Sequence, residues 1–238
     1  LHGSSAASDV YKRQDASSLK AGETTTVTFT LSEASSDFVE DDISVSGGEL
    51  SNFAASSSTV YTATFTPTAL STTNGVISVA SSKFSDSAGN ENADGSEDNN
   101  SLTLSIDTVL PTLESSTPAD NATAVATDSN IVLNFSEAVD VESGNIVIYK
   151  ASDDSEVETF NVASSGLISG SGSTQITINP SSDLEEQTEY YVQIAATAFD
   201  DVNGNSFAGI SDTTTLSFTT ADETAPTIAI TSDASSLK

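Results

Sequence analysis

The sequence predicts an all-β protein that is built from two sandwich domains in tandem. Apolar and polar residues alternate in many short segments, and turn-forming residues separate these segments, as is typical of β-sandwiches. No segment shows a convincing helical period of 3.6 residues. The length of 238 residues fits two domains, because one domain usually takes roughly 100–150 residues.

An internal repeat supports the division into two domains. The segment Asp86–Asn90 (DSAGN) is echoed by Asp201–Asn205 (DVNGN), and Asp107–Pro111 (DTVLP) is echoed by Asp222–Pro226 (DETAP). Both pairs are separated by the same number of residues, so two homologous modules follow one another. The proline of each D-x-x-x-P segment blocks strand continuation, which predicts that these segments are linkers.

Six strands are predicted in the first domain. They are Thr25–Leu31, Ile43–Ser46, Glu49–Ala54, Val60–Phe65, Val76–Ala80 and Leu102–Ile106. The hexapeptide DASSLK occurs at Asp15–Lys20 and again at Asp233–Lys238, which predicts a longer array of repeats. The strand that opens the first domain should therefore resemble Pro226–Thr231 (PTIAIT). Because a different segment stands there, we expect this domain to lack its first strand and to have an unpaired sheet edge.

Residues 1–14 (LHGSSAASDVYKRQ) differ from the rest of the chain. They contain the only His and the only Arg of the protein, His2 and Arg13. The segment resembles translated adaptor sequence, so we interpret it as a non-native or disordered leader and leave it out of the fold prediction.

Seven strands are predicted in the second domain. They are Thr112–Ser115, Ile131–Phe135, Ile146–Lys150, Val157–Val162, Gln175–Ile178, Tyr190–Ile194 and Thr215–Thr219. The predicted organisation is thus a leader (1–14), a first domain (15–106), a linker (107–111), a second domain (112–220), and a segment (221–238) that joins to a following repeat and holds its first strand.

The charge balance excludes several classes of function. Six Lys and Arg residues stand against 35 Asp and Glu residues, which gives a formal net charge of −29. Phosphates would be repelled, so we predict no nucleic-acid partner and no insertion into an anionic membrane. Divalent cations relieve such repulsion, and Ca²⁺ prefers carboxylate oxygens. A soluble acidic protein of a saline habitat explains the same charge without a metal.

Catalysis has little support in the sequence. Without a His beyond the leader, a Ser-His-Asp arrangement is excluded, and the absence of Cys removes thiol chemistry and Zn–Cys sites. The adjacent acids Asp41-Asp42 and Glu185-Glu186 do not form the separated carboxylate pair of a glycosidase. We therefore predict that the chain is not an enzyme.

Both modules resemble bacterial immunoglobulin-like (Ig-like) domains. In the first module the resemblance rests on Ser17–Ala34, Tyr61–Phe65 and Phe84–Asn90, and it is to the repeats of large surface adhesins and biofilm-associated proteins. In the second it rests on Ser116–Val125, Asn130–Val139, Tyr190–Ile194, Asp201–Asn205 and Leu216–Thr220, and it is to a domain of S-layer-type surface proteins. The resemblance implies an extracellular or cell-surface location and neighbouring Ig-like repeats in the parent chain, but no particular ligand.

The carboxylates near the linker form a candidate calcium site. In a seven-strand sandwich the B–C and F–G loops lie at the pole where the chain enters. Asp107, Glu137 and Asp201 should therefore converge at the junction, with Asn205 and Asp140 as additional ligands. Ca²⁺ takes six to eight oxygens, so this set suits a structural Ca²⁺ ion that would stiffen the junction.

Incomplete copies of the same site are predicted elsewhere. Glu33, Asp86 and Asn90 would form one half-site, and Asp222 would belong to another. Alternatively, D-x-x-G-N is only a turn, in which Asp binds backbone N–H groups and Gly adopts positive φ. Tyr190 is predicted to be a corner tyrosine whose hydroxyl bonds the backbone upstream.

Three functions are compatible with these features. The leading hypothesis is a structural extender of a bacterial surface or secreted adhesin, stiffened by Ca²⁺. A ligand-binding module for glycan, ice or another surface would need a flat face, for which Thr24–Thr26 and Thr213–Thr215 are the nearest candidates. An accessory module of a secreted hydrolase is the third.

Overall fold

The protein folds into two compact units. The computed structural model describes residues 10–14, 16–93 and 100–231. The first unit is built from two stretches of chain, Leu1–Pro111 and Asp200–Ser206, and the second from Thr112–Phe199 and Phe207–Lys238. Strands form most of the regular structure of the described residues, together with a short 3-10 turn at Glu40–Asp42. None of their elements is a helix of the length and apolarity that a membrane crossing requires.

Two four-stranded sheets enclose the core of the first unit. Its strands are β1 (Val10–Gln14), β2 (Ser18–Lys20), β3 (Thr25–Leu31), β4 (Ile43–Ser46), β5 (Gly48–Ala55), β6 (Val60–Pro67), β7 (Gly75–Val79) and β8 (Ser101–Asp107). The sheet orders are β1-β3-β6-β5 and β2-β8-β7-β4. Alternation in β3 buries Val27, Phe29 and Leu31 against the opposite sheet, which is the burial that its sequence period predicts.

The prediction that the first unit lacks its first strand and has an unpaired sheet edge is wrong. Val10–Gln14, inside the segment that we left out of the fold, pairs antiparallel with β3 from Val10↔Leu31 to Gln14↔Val27. An edge strand presents a row of N–H and C=O groups that any extended segment can satisfy. The prediction compared side chains only, whereas the pairing depends on backbone groups.

The second unit has two sheets of five strands each. Its strands are β9 (Leu113–Thr117), β10 (Ala122–Val125), β11 (Ile131–Val141), β12 (Asn145–Lys150), β13 (Ser155–Asn161), β14 (Ile168–Ser169), β15 (Ser173–Ile178), β16 (Glu189–Ile194), β17 (Phe199–Asp201) and β18 (Ser217–Thr220). The orders are β10-β18-β16-β12-β13 and β14-β15-β11-β17, and β9 also pairs with β11. Buried Ile131, Leu133, Ile146, Ile148 and Phe218 belong to its core.

The opening segment of each unit is shared between its two sheets. In the first unit β1 pairs antiparallel with β3, and β2 then pairs parallel with β8, the last strand before the linker. In the second unit β9 pairs antiparallel with β11, and β10 pairs parallel with β18. Each unit thus places its entry strand and its exit strand side by side in the same direction.

The chain after β18 carries exposed apolar side chains. Its described part, residues 221–231, contains no strand. Ile228 is 87% exposed and Ile230 is 89% exposed. Isoleucine is normally a buried residue, so this segment presents an unpartnered apolar surface.

Candidate metal centre and the loop that builds it

The Asp201–Asn205 loop is held by an internal set of hydrogen bonds. Asp201 Oδ1 accepts from the backbone N–H groups of Asn203 and Asn205, each at 2.8 Å. Asn205 Nδ2 donates to Asp201 Oδ2 at 2.8 Å. Gly204 takes φ +84°, a region that glycine adopts without steric cost. Asp201 and Asn205 are both buried, so the loop is a rigid and almost fully satisfied turn.

Asn205 also connects this loop to the rest of the first unit. Its Nδ2 donates to the Asp107 carbonyl at 3.0 Å, and its Oδ1 accepts from the Ala21 N–H at 2.8 Å. The Lys20 ammonium donates to the Gly204 carbonyl at 2.7 Å. These bonds tie the two stretches of chain that make up the first unit.

The Asp107 and Asp201 carboxylates lie close together in this unit. One oxygen of each lies within 4.8 Å of the other. Asp107 Oδ1 accepts from the Val109 N–H at 3.1 Å, and Asp107 Oδ2 accepts from Asn203 Nδ2 at 2.7 Å. A carboxylate oxygen has two lone pairs, so Asp107 keeps acceptor capacity on both oxygens and Asp201 keeps it on Oδ2. The donor set is all oxygen, which suits Ca²⁺.

Two of the other predicted ligands lie on one strand of the second unit. Glu137 and Asp140 both lie on β11 in the second unit, and both are half-buried. Asp140 Oδ1 accepts from the Ser171 hydroxyl at 3.2 Å. The amide oxygen of Asn205 accepts from the Ala21 backbone, which leaves one of its two lone pairs for a cation.

The predicted half-site in the first unit repeats the geometry of the Asp201 loop. Asp86 Oδ1 accepts from the backbone N–H groups of Ala88 and Asn90, each at 2.8 Å, and Asn90 Nδ2 donates to Asp86 Oδ2 at 2.7 Å. The Asn90 side chain and then its N–H hold the pKa of Asp86 below its ordinary value. Gly89 takes φ +88°. The two D-x-x-G-N segments are therefore the same structural unit.

The remaining half-site residues, Glu33 and Asp222, do not belong to a D-x-x-G-N turn. Glu33 lies half-buried in the bend after β3, where a β-bridge joins Ser35 to Asp86. Asp222 is exposed, and its carboxylate accepts from the Thr224 N–H at 3.1 Å. Asp222 therefore serves as the acceptor of a local turn.

Asp37 is a well-anchored acid that the sequence prediction missed. It accepts from the Ser85 hydroxyl at 2.6 Å, the Ser85 N–H at 2.9 Å and the Ser35 hydroxyl at 2.7 Å. These bonds, led by that of the Ser85 hydroxyl, lower the pKa of Asp37 to about 2. The only available signal was the Ser-x-Asp spacing, which is common in local turns.

The corner tyrosine prediction is confirmed. The Glu185 N–H donates to the Tyr190 hydroxyl at 2.9 Å, so the side chain fixes the backbone upstream of its own strand. In the first unit the Tyr61 hydroxyl donates to the Ser35 carbonyl at 2.9 Å. Burial is the first cause of the raised pKa of Tyr61, and the Asp37 charge is the second.

Family models match nearly the whole chain. One, described as a bacterial Ig-like domain, matches residues 9–104, and a second with the same description matches residues 107–220. No curated protein matches the chain in sequence. The predicted fold class, two tandem Ig-like sandwiches, is confirmed.

Two solved adhesin structures that resemble the chain are distant from it in sequence. The Yersinia pseudotuberculosis adhesin InvE is 17% identical with a TM-score of 0.34, over 81% of this chain and 56% of that one. The Escherichia coli adhesin FdeC is 16% identical with a TM-score of 0.49, over 90% of this chain and 64% of that one. The match therefore spans less than two thirds of either adhesin chain. By the two family matches, this chain consists of two bacterial Ig-like domains in tandem and belongs to that family.

Proposed function

We propose that this chain is a non-catalytic spacer of a bacterial cell-surface or secreted adhesin, and that it bears tension along its length. Its partners would be neighbouring Ig-like repeats of the parent chain. The observation that carries the proposal is the parallel pairing of the entry and exit strands in each unit. A pull on the two ends of such a pair loads all its hydrogen bonds together, whereas a pull on a hairpin breaks them one at a time.

The pair in the first unit is anchored in the core. Ser18 pairs with Ser105, and Lys20 pairs with Asp107. Between them, Leu19 and Ile106 are each 3% exposed. Sliding the two strands would therefore break the ladder and expose two apolar side chains at once, which raises the cost of the first step of unfolding.

The pair in the second unit is reinforced at both ends. Ala122 pairs with Phe218, and Val125 pairs with Thr220. The Asn121 N–H donates to the Ser217 carbonyl at 2.8 Å, and the Ala221 N–H donates to the Val125 carbonyl at 2.7 Å. The same loading geometry in two domains of different sequence favours a shared mechanical role.

The experiment compares two pulling directions on the same unit. The chain has no Cys, so engineered cysteines define where force is applied. Ser17→Cys with Leu110→Cys would load the parallel pair in shear, whereas Ser46→Cys with Thr68→Cys would unzip the β5–β6 hairpin. We expect a clearly higher unfolding force for the first pair in single-molecule stretching. Equal forces would contradict the proposal.

We extend the proposal to a structural Ca²⁺ ion held by Asp107 and Asp201, with Glu137 as the third carboxylate that the sequence predicts. Two carboxylates within 4.8 Å repel one another, and a cation between them would replace that repulsion with attraction. Loss of freedom in this part of the chain would make the spacer stiffer.

The calcium part is tested by melting the protein in CaCl₂ and in EGTA. We expect a higher melting temperature in CaCl₂ for the full chain and a smaller shift for Asp107→Asn. Glu49→Gln removes the same charge from an exposed position on β5, and it should keep the full shift. An equal melting temperature in CaCl₂ and in EGTA for the unsubstituted protein would contradict the calcium proposal. It would not affect the proposal that the chain bears tension.

A further inference from the structure

The C-terminal segment has the side-chain pattern of a strand that faces a core. Ile228 and Ile230 are 87% and 89% exposed, and Ala229 stands between them. In a strand, residues two apart point to the same face. If this segment were paired in a sheet, both isoleucines would therefore lie on one face and Ala229 on the other.

Strand β3 presents a matching surface. Its buried residues Val27, Phe29 and Leu31 face the core of the first unit, and Thr26 and Thr30 are exposed. One edge of β3 is occupied by β1, and the other by β6. Because β1 is the end strand of this sheet and β6 is internal, another strand could add to β3 only by taking the place of β1.

The DASSLK repeat places Ile228 opposite Leu31. Ile228 precedes Asp233 by five residues, and Val10 precedes Asp15 by the same five residues. Val10 pairs with Leu31 in the β1–β3 ladder. A segment that follows the same repeat would therefore bring Ile228 to the position of Val10.

The second unit gives the same pairing independently. Leu113 of β9 pairs with Phe135 of β11. Leu113 follows Pro111 as Ile228 follows Pro226, two residues on. Phe135 begins FSEA as Leu31 begins LSEA, so the contact that corresponds to Leu113–Phe135 is Ile228–Leu31.

Beyond this pair the registers of the β1–β3 and β9–β11 ladders differ by one residue. The β9–β11 ladder has a bulge after the Leu113–Phe135 pair, whereas β1 pairs with β3 without one. The β1 register places Ile230 opposite Phe29, where β1 has Lys12. Two isoleucines would then lie beside the buried row of β3, a more apolar partner than the one now present.

We propose that residues 228–231 of one copy of this chain add to β3 of a second copy in place of its β1. Ile228 lies opposite Leu31 and Ile230 lies opposite Phe29, both on the core face. The partner is thus another molecule of the same protein, joined head to tail. In a chain of such contacts, one end copy still has unpaired residues 228–231 and the other still has β1 on its β3, so the contact can propagate.

Self-association of the full chain tests this proposal. In sedimentation velocity we expect dimers and longer species as concentration rises. Because the net charge is −29, association should strengthen when salt shortens the screening length to about 8 Å near 0.15 M. Ile228→Asn with Ile230→Asn should weaken association by about a hundredfold, since two buried side chains are lost.

The matched control changes the other face of the same segment. Ala229→Ser with Thr231→Ser lies outward in the proposed register and should leave association unchanged. A monomer at every concentration, or equal association of the two double variants, would overturn the proposal. All four positions are exposed, so neither variant disturbs a core.

Disulfide trapping tests the register. Ala229→Cys in one isotope-labelled copy should cross-link to Thr30→Cys in an unlabelled copy, because Tyr11, at the position of Ala229, pairs with Thr30. Thr26 is exposed on the same face of β3 but lies four residues before Thr30, which is about 13 Å along the strand. Thr26→Cys should therefore not cross-link. Equal cross-linking of Thr26→Cys and Thr30→Cys would contradict the proposed pairing.

Discussion

The Asp201–Asn205 and Asp86–Asn90 loops share an interior but differ in their outward contacts. In both, the Asp carboxylate accepts two backbone N–H bonds and one Asn side-chain bond, with distances between 2.7 and 2.8 Å. Asn205 is buried and also binds the backbone of Asp107 and Ala21. Asn90 is half-exposed. The motif therefore encodes the turn, whereas the contacts around it decide what the turn is used for.

The largest expected difference comes from removing the Asn side chain. Asn205→Ala would lose three hydrogen bonds and leave buried partners unsatisfied, which should lower the free energy of unfolding by about 3 kcal/mol. Asn90→Ala would lose the bond to Asp86 near solvent and should cost about 1 kcal/mol. Urea denaturation followed by circular dichroism measures both, and equal losses would mean that the outward bonds of Asn205 contribute nothing.

Alanine at the loop glycines should separate backbone strain from contact. Gly89→Ala and Gly204→Ala both place a side chain at positive φ, which costs about 1 kcal/mol. A Cβ at Gly89 meets nothing within 4 Å, whereas a Cβ at Gly204 lies 3.2 Å from Lys20 Nζ. Calorimetry should show a slightly larger drop in melting temperature for Gly204→Ala, and a larger drop for Gly89→Ala would contradict this order.

Asp37 binds Ser85, the residue before the Asp86–Asn90 loop, so acid should lower the stability of this region by protonating Asp37. Its pKa of about 2 in the folded protein lies below the ordinary value of 3.8. The stability that Asp37 contributes is therefore present above pH 3.8 and is lost as pH falls toward 2. Ser85→Ala removes the first cause of the shift, so the pKa of Asp37 measured by carboxyl NMR should rise toward 3.8. Asp212 is the control, because the Thr215 hydroxyl and then the Thr214 N–H lower its pKa, and its pKa should not change.

The smallest expected effect belongs to Lys20. Lys20→Met keeps the aliphatic stem and removes the bond to the Gly204 carbonyl, which should cost at most about 1 kcal/mol. Lys83→Met is the control, because Lys83 is exposed in the same unit and should be close to neutral. Thermal melts of the two variants that coincide would show that the Lys20 bond is not stabilising.

Much of the fold could be predicted from the period of the sequence. Alternation located β3, β6 and β16 to within two residues at each end, because one face of each lies in a core. The strands β2 and β10 were missed, since β2 has only three residues and burial does not alternate along β10. The prediction of an unpaired edge at β3 was wrong, because the pairing with β1 depends on backbone groups rather than on side-chain resemblance.

The candidate site was predictable in part. The loop positions of a seven-strand sandwich predicted that Asp107 and Asp201 lie together, and they do lie within 4.8 Å of one another. The use of Asn205 Oδ1 by the Ala21 N–H could not be predicted, because it depends on a contact between residues far apart in the sequence. Binding of Ca²⁺ at these carboxylates stays a prediction.

Stretching the full chain from its two ends tests the central claim most directly, which is that both domains resist tension through their parallel strand pairs. We expect two separate unfolding events at high force, each releasing on the order of 30 nm of chain. Extension at low force without such events, or with only one of them, would contradict the account.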